Sequence, residues 1–213
     1  MGGRSQALLC DNQSPTFYRL GTGATGASML GDIAGFLLNI VSTLYGAVLL
    51  LRLWLQFVRL PPYNPISRTV FQVTDWIVIP LRRLLGGLGG IDWACVVAAW
   101  LTALVYLAAL LLVDGMNPLS MFPDALWIAL LLLLKWGINL VMWVTLLMVI
   151  LSWVNPHAPA MPALHALTSP LLDPIRRVLP ALGGLDLSPL VLFLLTQIAL
   201  MVLSRIGLPI FGL

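Results

Sequence analysis

Polar residues fall in short stretches of this chain, and between them apolar residues run without the interruption that a water-facing helix or strand needs. Four runs stand out, at 33–58, 93–113, 125–154 and 187–206, each of 20 residues or more. A helix rising about 1.5 Å per residue crosses a hydrocarbon layer of about 30 Å in about 20 residues. The four runs therefore predict four membrane-spanning helices. Between the first two runs, and again between the last two, the pattern changes to an amphipathic one. Helical spacing puts Ile77, Val78, Leu81, Leu84 and Leu85 on one face, with Arg82 and Arg83 flanking the other. It likewise puts Leu171, Leu172, Ile175, Val178 and Leu179 opposite Asp173, Arg176 and Arg177. Such a segment is expected to lie in the membrane interface, its apolar face among acyl chains and its arginines among headgroups.

The polar punctuation predicts the ends. Asn64 before Pro65 and Asn155 before Pro156 read as helix N-caps with proline in the first helical position. Asp75 and Ser169 read as the next caps. Pro80 and Pro174 are expected to bend or restart their helices. Gly89, Gly90, Gly183 and Gly184 supply turns, after which Asp92 and Asp186 cap the returning spans.

The segment 74–92 recurs at 168–186, with nine of its 19 positions identical, among them Thr74/Thr168, Pro80/Pro174, Arg82/Arg176, Arg83/Arg177 and Asp92/Asp186. The chain is thus a tandem duplication. The expected fold is an all-α membrane protein of four transmembrane helices, arranged as two parallel tandem helical hairpins, each with an interfacial amphipathic loop helix. Its parts are a disordered polar tail at 1–28, a first repeat at 29–113, a connection at 114–124 and a second repeat at 125–213.

Composition sharpens this. Charged residues make up 9% of the 213, against roughly 25% in a soluble domain, and mean hydropathy is +1.00. Glutamate is absent and Lys135 is the one lysine. The formal charge of +3 comes from scattered arginines, whereas a nucleic-acid site needs a clustered basic face, so no nucleic-acid partner is expected. Arg59, Arg68, Arg82 and Arg83 lie between the first two spans and Arg176 and Arg177 between the last two, while 114–124 holds two aspartates and no basic residue. The positive-inside rule then puts both Arg-Arg loops in the cytoplasm and both termini outside, in a multi-pass bacterial inner-membrane protein. Cys10 and Cys95, one in the tail and one in a span, predict no disulfide.

Candidate chemistry is sparse. Arg82, Arg83, Arg176 and Arg177 fit anionic headgroups or a partner's carboxylates and phosphates. Asp92 and Asp186 suit either helix capping or pairing with those arginines. Lys135, with Asn139 one turn on, and Arg52, with Gln56 one turn on, are polar residues inside spans. Such groups mark functional positions unless they snorkel, and Lys135 is expected to reach the outer headgroups. His157 and His165 sit among loop prolines, which does not suit metal or haem ligation. No nucleophile with a base, phosphate loop or carboxylate pair is present, so neither catalysis, a cofactor nor a metal site is expected.

The paired segments resemble the YggT family of bacterial and plastid membrane proteins. The residues carrying the likeness are Arg52, Gln56, Asn64, Pro65, Pro80, Arg82, Arg83, Gly89, Gly90 and Asp92. In the second copy they are Ser152, Trp153, Asn155, Pro156, Pro170, Pro174, Arg176, Arg177, Gly183, Gly184, Asp186, Ser188 and Pro189. Gly86 departs from the pattern, standing where the second copy has Pro180. The resemblance implies a small integral membrane protein. Plastid relatives are linked to cofactor assembly in the cytochrome b–f complex and to nucleoid distribution, and bacterial members to neighbouring cell-division genes and osmotic tolerance. The function expected is a non-catalytic scaffold or assembly factor at the cytoplasmic leaflet. Its partners would be anionic lipids and a membrane protein or a second copy. The alternative is a solute or ion transporter with a path between the repeats, lined by Asn39, Arg52, Lys135 or Asn139.

Overall fold

The computed structural model describes residues 26–59, 65–85, 92–113, 115–178 and 186–207. The cap at Asn64, the glycine pairs, Gly86 and Pro180 lie outside these, as does residue 1–25 of the predicted tail. The described residues form six α-helices and no strand: α1 (Gly26–Phe57), α2 (Pro65–Leu85), α3 (Trp93–Val113), α4 (Asp124–Val154), α5 (Met161–Val178) and α6 (Ser188–Gly207). A 3₁₀ turn, Pro118–Met121, precedes α4. Helices α1, α3, α4 and α6 are long and apolar enough to cross a membrane. Their ends agree with the four apolar runs within a residue or two, except that α1 begins earlier, at Gly26.

The exposed surface is apolar. Phe36, Leu37, Val41 and Leu44 on α1, Trp127, Leu134 and Trp143 on α4, and Leu194, Ile198 and Met201 on α6 all face outward. Several polar residues, Arg52, Thr74, Thr145, Thr168 and Thr196, are buried. This distribution suits a lipid solvent, in which apolar side chains cost nothing at the surface and polar groups must find partners inside.

Three apolar clusters hold the helices together. Leu49, Val78, Cys95 and Ala98 join α1, α2 and α3; Ala103, Tyr106, Ile128 and Trp136 join α3 and α4; Leu55, Val144, Met148, Leu164, Leu172 and Leu192 join α1, α4, α5 and α6. Contacts run in opposite senses along α1 and α3, where Gly31 lies beside Val113, Gly35 beside Leu110 and Asn39 on Tyr106. Along α1 and α4 they progress together, with Gly46 against Trp136 and Leu50 beside Gly137. Gly46 permits the closest approach, because a Cβ there would overlap the Trp136 indole. Small residues at such crossings let helices pack by shape in lipid.

Several sequence expectations are revised. Asp75 and Ser169 do not cap helices; α2 and α5 run unbroken through them. Pro80, Pro170 and Pro174 sit inside those helices without ending them. The Ala166 carbonyl, whose usual donor would be the missing N–H of Pro170, accepts from the Ser169 hydroxyl at 3.2 Å. Asn155 ends α4 instead of starting α5: its N–H bonds Leu151 O, and its φ of −152° and ψ of 86° lie outside the helical region. Pro156 disfavours the helical region for the residue before it. Helix α5 starts at Met161. The apolar faces of α2 and α5 also bury against protein, with Val78 and Leu172 fully enclosed, so their arginines are held at fixed places.

Candidate functional site

The duplicated elbows supply the most ordered polar chemistry. Arg82, in the last turn of α2, is ion-paired with Asp92, the residue before α3. Arg176, in the last turn of α5, bonds Asp186, just before α6, through Nη2 at 2.7 Å and Nε at 2.9 Å. In each copy the arginine and aspartate are ten residues apart, so one ion pair clasps the end of the elbow helix to the start of the returning helix. The Asp92 clasp is the better enclosed: its carboxylate side chain is 10% exposed, against 41% for Asp186. Gln56 Nε2 also donates to Asp92, at 3.2 Å, tying in α1.

Burial alone would push the Asp92 carboxyl up, but hydrogen bonds from Arg82 and Gln56 outweigh it and hold the group below the ordinary carboxylate range. Asp186 is also held low: burial opposes ionisation, and the bonds from Ser188 and Arg176 overcome it. The bond to Asp92 raises Arg82 further above its usual range. Asp186 also accepts from Ser188 N at 3.0 Å, the capping role predicted for it. Asp173 adds a 3.6 Å contact to Arg176.

The second arginine of each pair behaves differently. Arg83 and Arg177 are exposed, and among the described residues neither enters an ion pair. Sequence treated the four arginines alike; the structure divides them into one clasped and one exposed per copy.

Each elbow rests on a buried threonine whose hydroxyl donates back to the carbonyl four residues earlier, Thr74 to Val70 at 2.7 Å and Thr168 to Leu164 at 2.8 Å. What meets that threonine differs. In the first copy Arg52 Nη1 donates to both Thr74 Oγ1 and Asp75 Oδ1 at 2.7 Å, with its guanidinium 4.9 Å from the Phe71 ring centre. In the second copy Thr168 Oγ1 lies 3.0 Å from Met148 Sδ, and Ser169 follows it. Arg52 is thus a packed, paired side chain; pairing with Asp75 was not foreseen.

The remaining polar candidates do not converge. Asn39 accepts from Tyr106 Oη at 3.2 Å and Thr43 at 3.3 Å, sharing no partner with Arg52. Lys135 and Asn139 line a cleft of about 370 Å³ with Gln197 and Ser204, all on α4 and α6. Lys135, expected to reach headgroups, lies 11 residues into α4, about 16 Å along the helix, and lines this cleft. Between the repeats lies an apolar cleft of about 540 Å³, whose polar lining is Gln56 and Asp92. Among the described residues no group of three His, Cys, Asp or Glu side chains is placed to hold a metal.

Four apolar helices, polar residues turned inward and two copies of one clasped elbow define the class: a duplicated helical protein compatible with multiple membrane passes. The chain belongs to the CCB3/YggT family, whose model matches twice, at residues 31–113 and 127–207. It is 43% identical over 165 residues to the uncharacterised protein YggT of Escherichia coli K12, covering 76% of this chain and 85% of that protein. It is 41% identical to an uncharacterised Vibrio alginolyticus protein from the proC 3′ region, covering 77% and 89%, respectively. An uncharacterised Pseudomonas aeruginosa protein, PA0392, is 35% identical over 84% of this chain and 92% of its own length. No solved structure matches.

Proposed function

We infer that this protein is a non-catalytic scaffold or assembly factor of the bacterial inner membrane, acting at the cytoplasmic leaflet through its two elbows. The observation that carries this reading is the division of labour within each Arg-Arg pair. Arg82 and Arg176 fix the elbow to the returning span, and Arg83 and Arg177, exposed and in no ion pair among the described residues, stand beside them. A cation held on a rigid helix end near an anionic surface contributes about 1 kcal/mol, and two such ends on one face double the attraction. The basic loops and the acidic connection orient that face toward the cytoplasm, with both termini outside.

Two measurements test the reading. A membrane-impermeant maleimide should label Arg83→Cys or Arg177→Cys in a Cys10→Ser background only after cells are opened; labelling of intact cells would overturn the orientation. Native mass spectrometry of protein released from phosphatidylglycerol-containing nanodiscs should show retained anionic lipid that falls in the Arg83→Gln/Arg177→Gln variant. Equal retention in that variant would overturn the role given to the elbows.

A further inference from the structure

The two hairpins share a polar position that only one of them satisfies. Arg52 and Met148 meet the equivalent threonines Thr74 and Thr168. Thirteen residues before Arg52 is Asn39, and thirteen before Met148 is Lys135. On the returning helices, Tyr106 follows Asp92 by fourteen residues and Leu200 follows Asp186 by fourteen. In the first hairpin the Tyr106 hydroxyl answers Asn39 at 3.2 Å. In the second a lysine replaces the asparagine and a leucine replaces the tyrosine, and both line the cleft of about 370 Å³ with Asn139, Gln197 and Ser204. Among the described residues the Lys135 amine enters no ion pair.

Among the described residues the cleft is lined by α4 and α6 alone, two helices long and apolar enough to cross a membrane, so its mouth lies on the side of that pair. Lys135 is about 16 Å of helix from the start of α4 and about 28 Å from its end, inside a segment long and apolar enough to cross a membrane. A cation at that depth calls for an anionic or strongly accepting partner. We propose that this cleft is a docking site for a transmembrane helix of another protein that carries a carboxylate near mid-membrane, with Lys135 as its counter-charge and Asn139, Gln197 and Ser204 as flanking hydrogen-bonding groups. A second copy of this chain does not fit. Among the described residues Asp32 lies six residues into α1 and Asp124 opens α4, so neither stands at the level of Lys135. Two-fold pairing through this face would also set lysine against lysine. The site is separate from the elbows, so it stands or falls without them.

The test uses the full chain in liposomes, carrying Cys10→Ser and a fluorescent donor at His157→Cys, titrated with acceptor-labelled polyleucine transmembrane peptides. The peptide with one central Glu should associate about three- to tenfold more strongly than the all-Leu peptide, and a central-Lys peptide no better than all-Leu. The preference should vanish in Lys135→Leu and also in Lys135→Asn/Leu200→Tyr, which restores the arrangement of the first hairpin. It should survive in Arg83→Gln/Arg177→Gln, which separates this site from the elbow function. Equal binding of the Glu and Leu peptides, a preference that persists in Lys135→Leu, or an equal gain from a Glu placed two turns nearer the headgroups would each overturn the proposal. Displacement of the Glu peptide by free aspartate or acetate would assign the cleft to a soluble anion and overturn it too.

Discussion

Replacing Asp75 by Ser should destabilise the protein more than replacing Arg52 by Met, although both remove the same ion pair. The asymmetry follows from where the charges lie. The Arg52 side chain is 4% exposed and that of Asp75 is 42% exposed. Removing one partner of a fully buried pair costs about 3–5 kcal/mol, because the other charge is left uncompensated. In Asp75→Ser the stranded charge is the buried guanidinium, but Thr74 still accepts from it, which reduces the expected cost to about 1.5–3 kcal/mol. In Arg52→Met the stranded charge is a half-exposed carboxylate that water can solvate. The loss is then the contact with Phe71, about 1 kcal/mol, offset by relief of a buried cation. The double variant reproduces the pair found in the second copy, Met148 and Ser169, and should match Arg52→Met alone. Reversible unfolding in mixed dodecylmaltoside–SDS micelles measures all four corners of the cycle. Additive costs, or a larger loss in Arg52→Met than in Asp75→Ser, would refute the view that the pair compensates a buried charge.

Other outcomes follow from the same geometry. Asp92 and Asp186 have folded-state pKa values below the 3.8 of a free aspartate, so each stabilises the fold fully above that value and loses its contribution as pH falls through its lowered one. Stability should be flat from about pH 5 to 8 and decline below about pH 4; Asp92→Asn should reduce that acid slope more than Asp186→Asn, and no decline at low pH would refute the clasps. Gly46→Ala forces a methyl into the Trp136 ring and should cost about 1–3 kcal/mol. Gly137→Ala, whose methyl would meet Leu50 at 4.0 Å, should stay within about 0.5 kcal/mol. Equal effects in the same micelle assay would contradict the close α1–α4 approach.

The spans were readable because lipid imposes a coarse rule, a length of uninterrupted apolar sequence, that local composition satisfies by itself. The clasps were half readable: the repeat singled out both Arg-Arg pairs and both aspartates but did not distinguish Arg82 from Arg83. That distinction depends on which side of a helix end faces the returning chain, a tertiary matter. Arg52–Asp75 was missed because the partners are 23 residues apart on different helices. A signal was available in the repeat itself, since Asp75 stands against Ser169 directly after the shared Thr74/Thr168. The cap at Asn155 was misassigned because Asn-Pro serves equally to end one helix and to begin another, and the apolar run of α4 reaches Val154 before it.

The acid of each clasp stands at the threshold of the returning helix, so neither latch can shut before the polypeptide has doubled back. Each hairpin closes with groups from its own length of chain, and the first holds both of its own before residue 124 has been made. A nascent protein halted after residue 113 would already carry one finished buckle, and a break between residues 83 and 92 would still leave its two ends joined across an ionic bond.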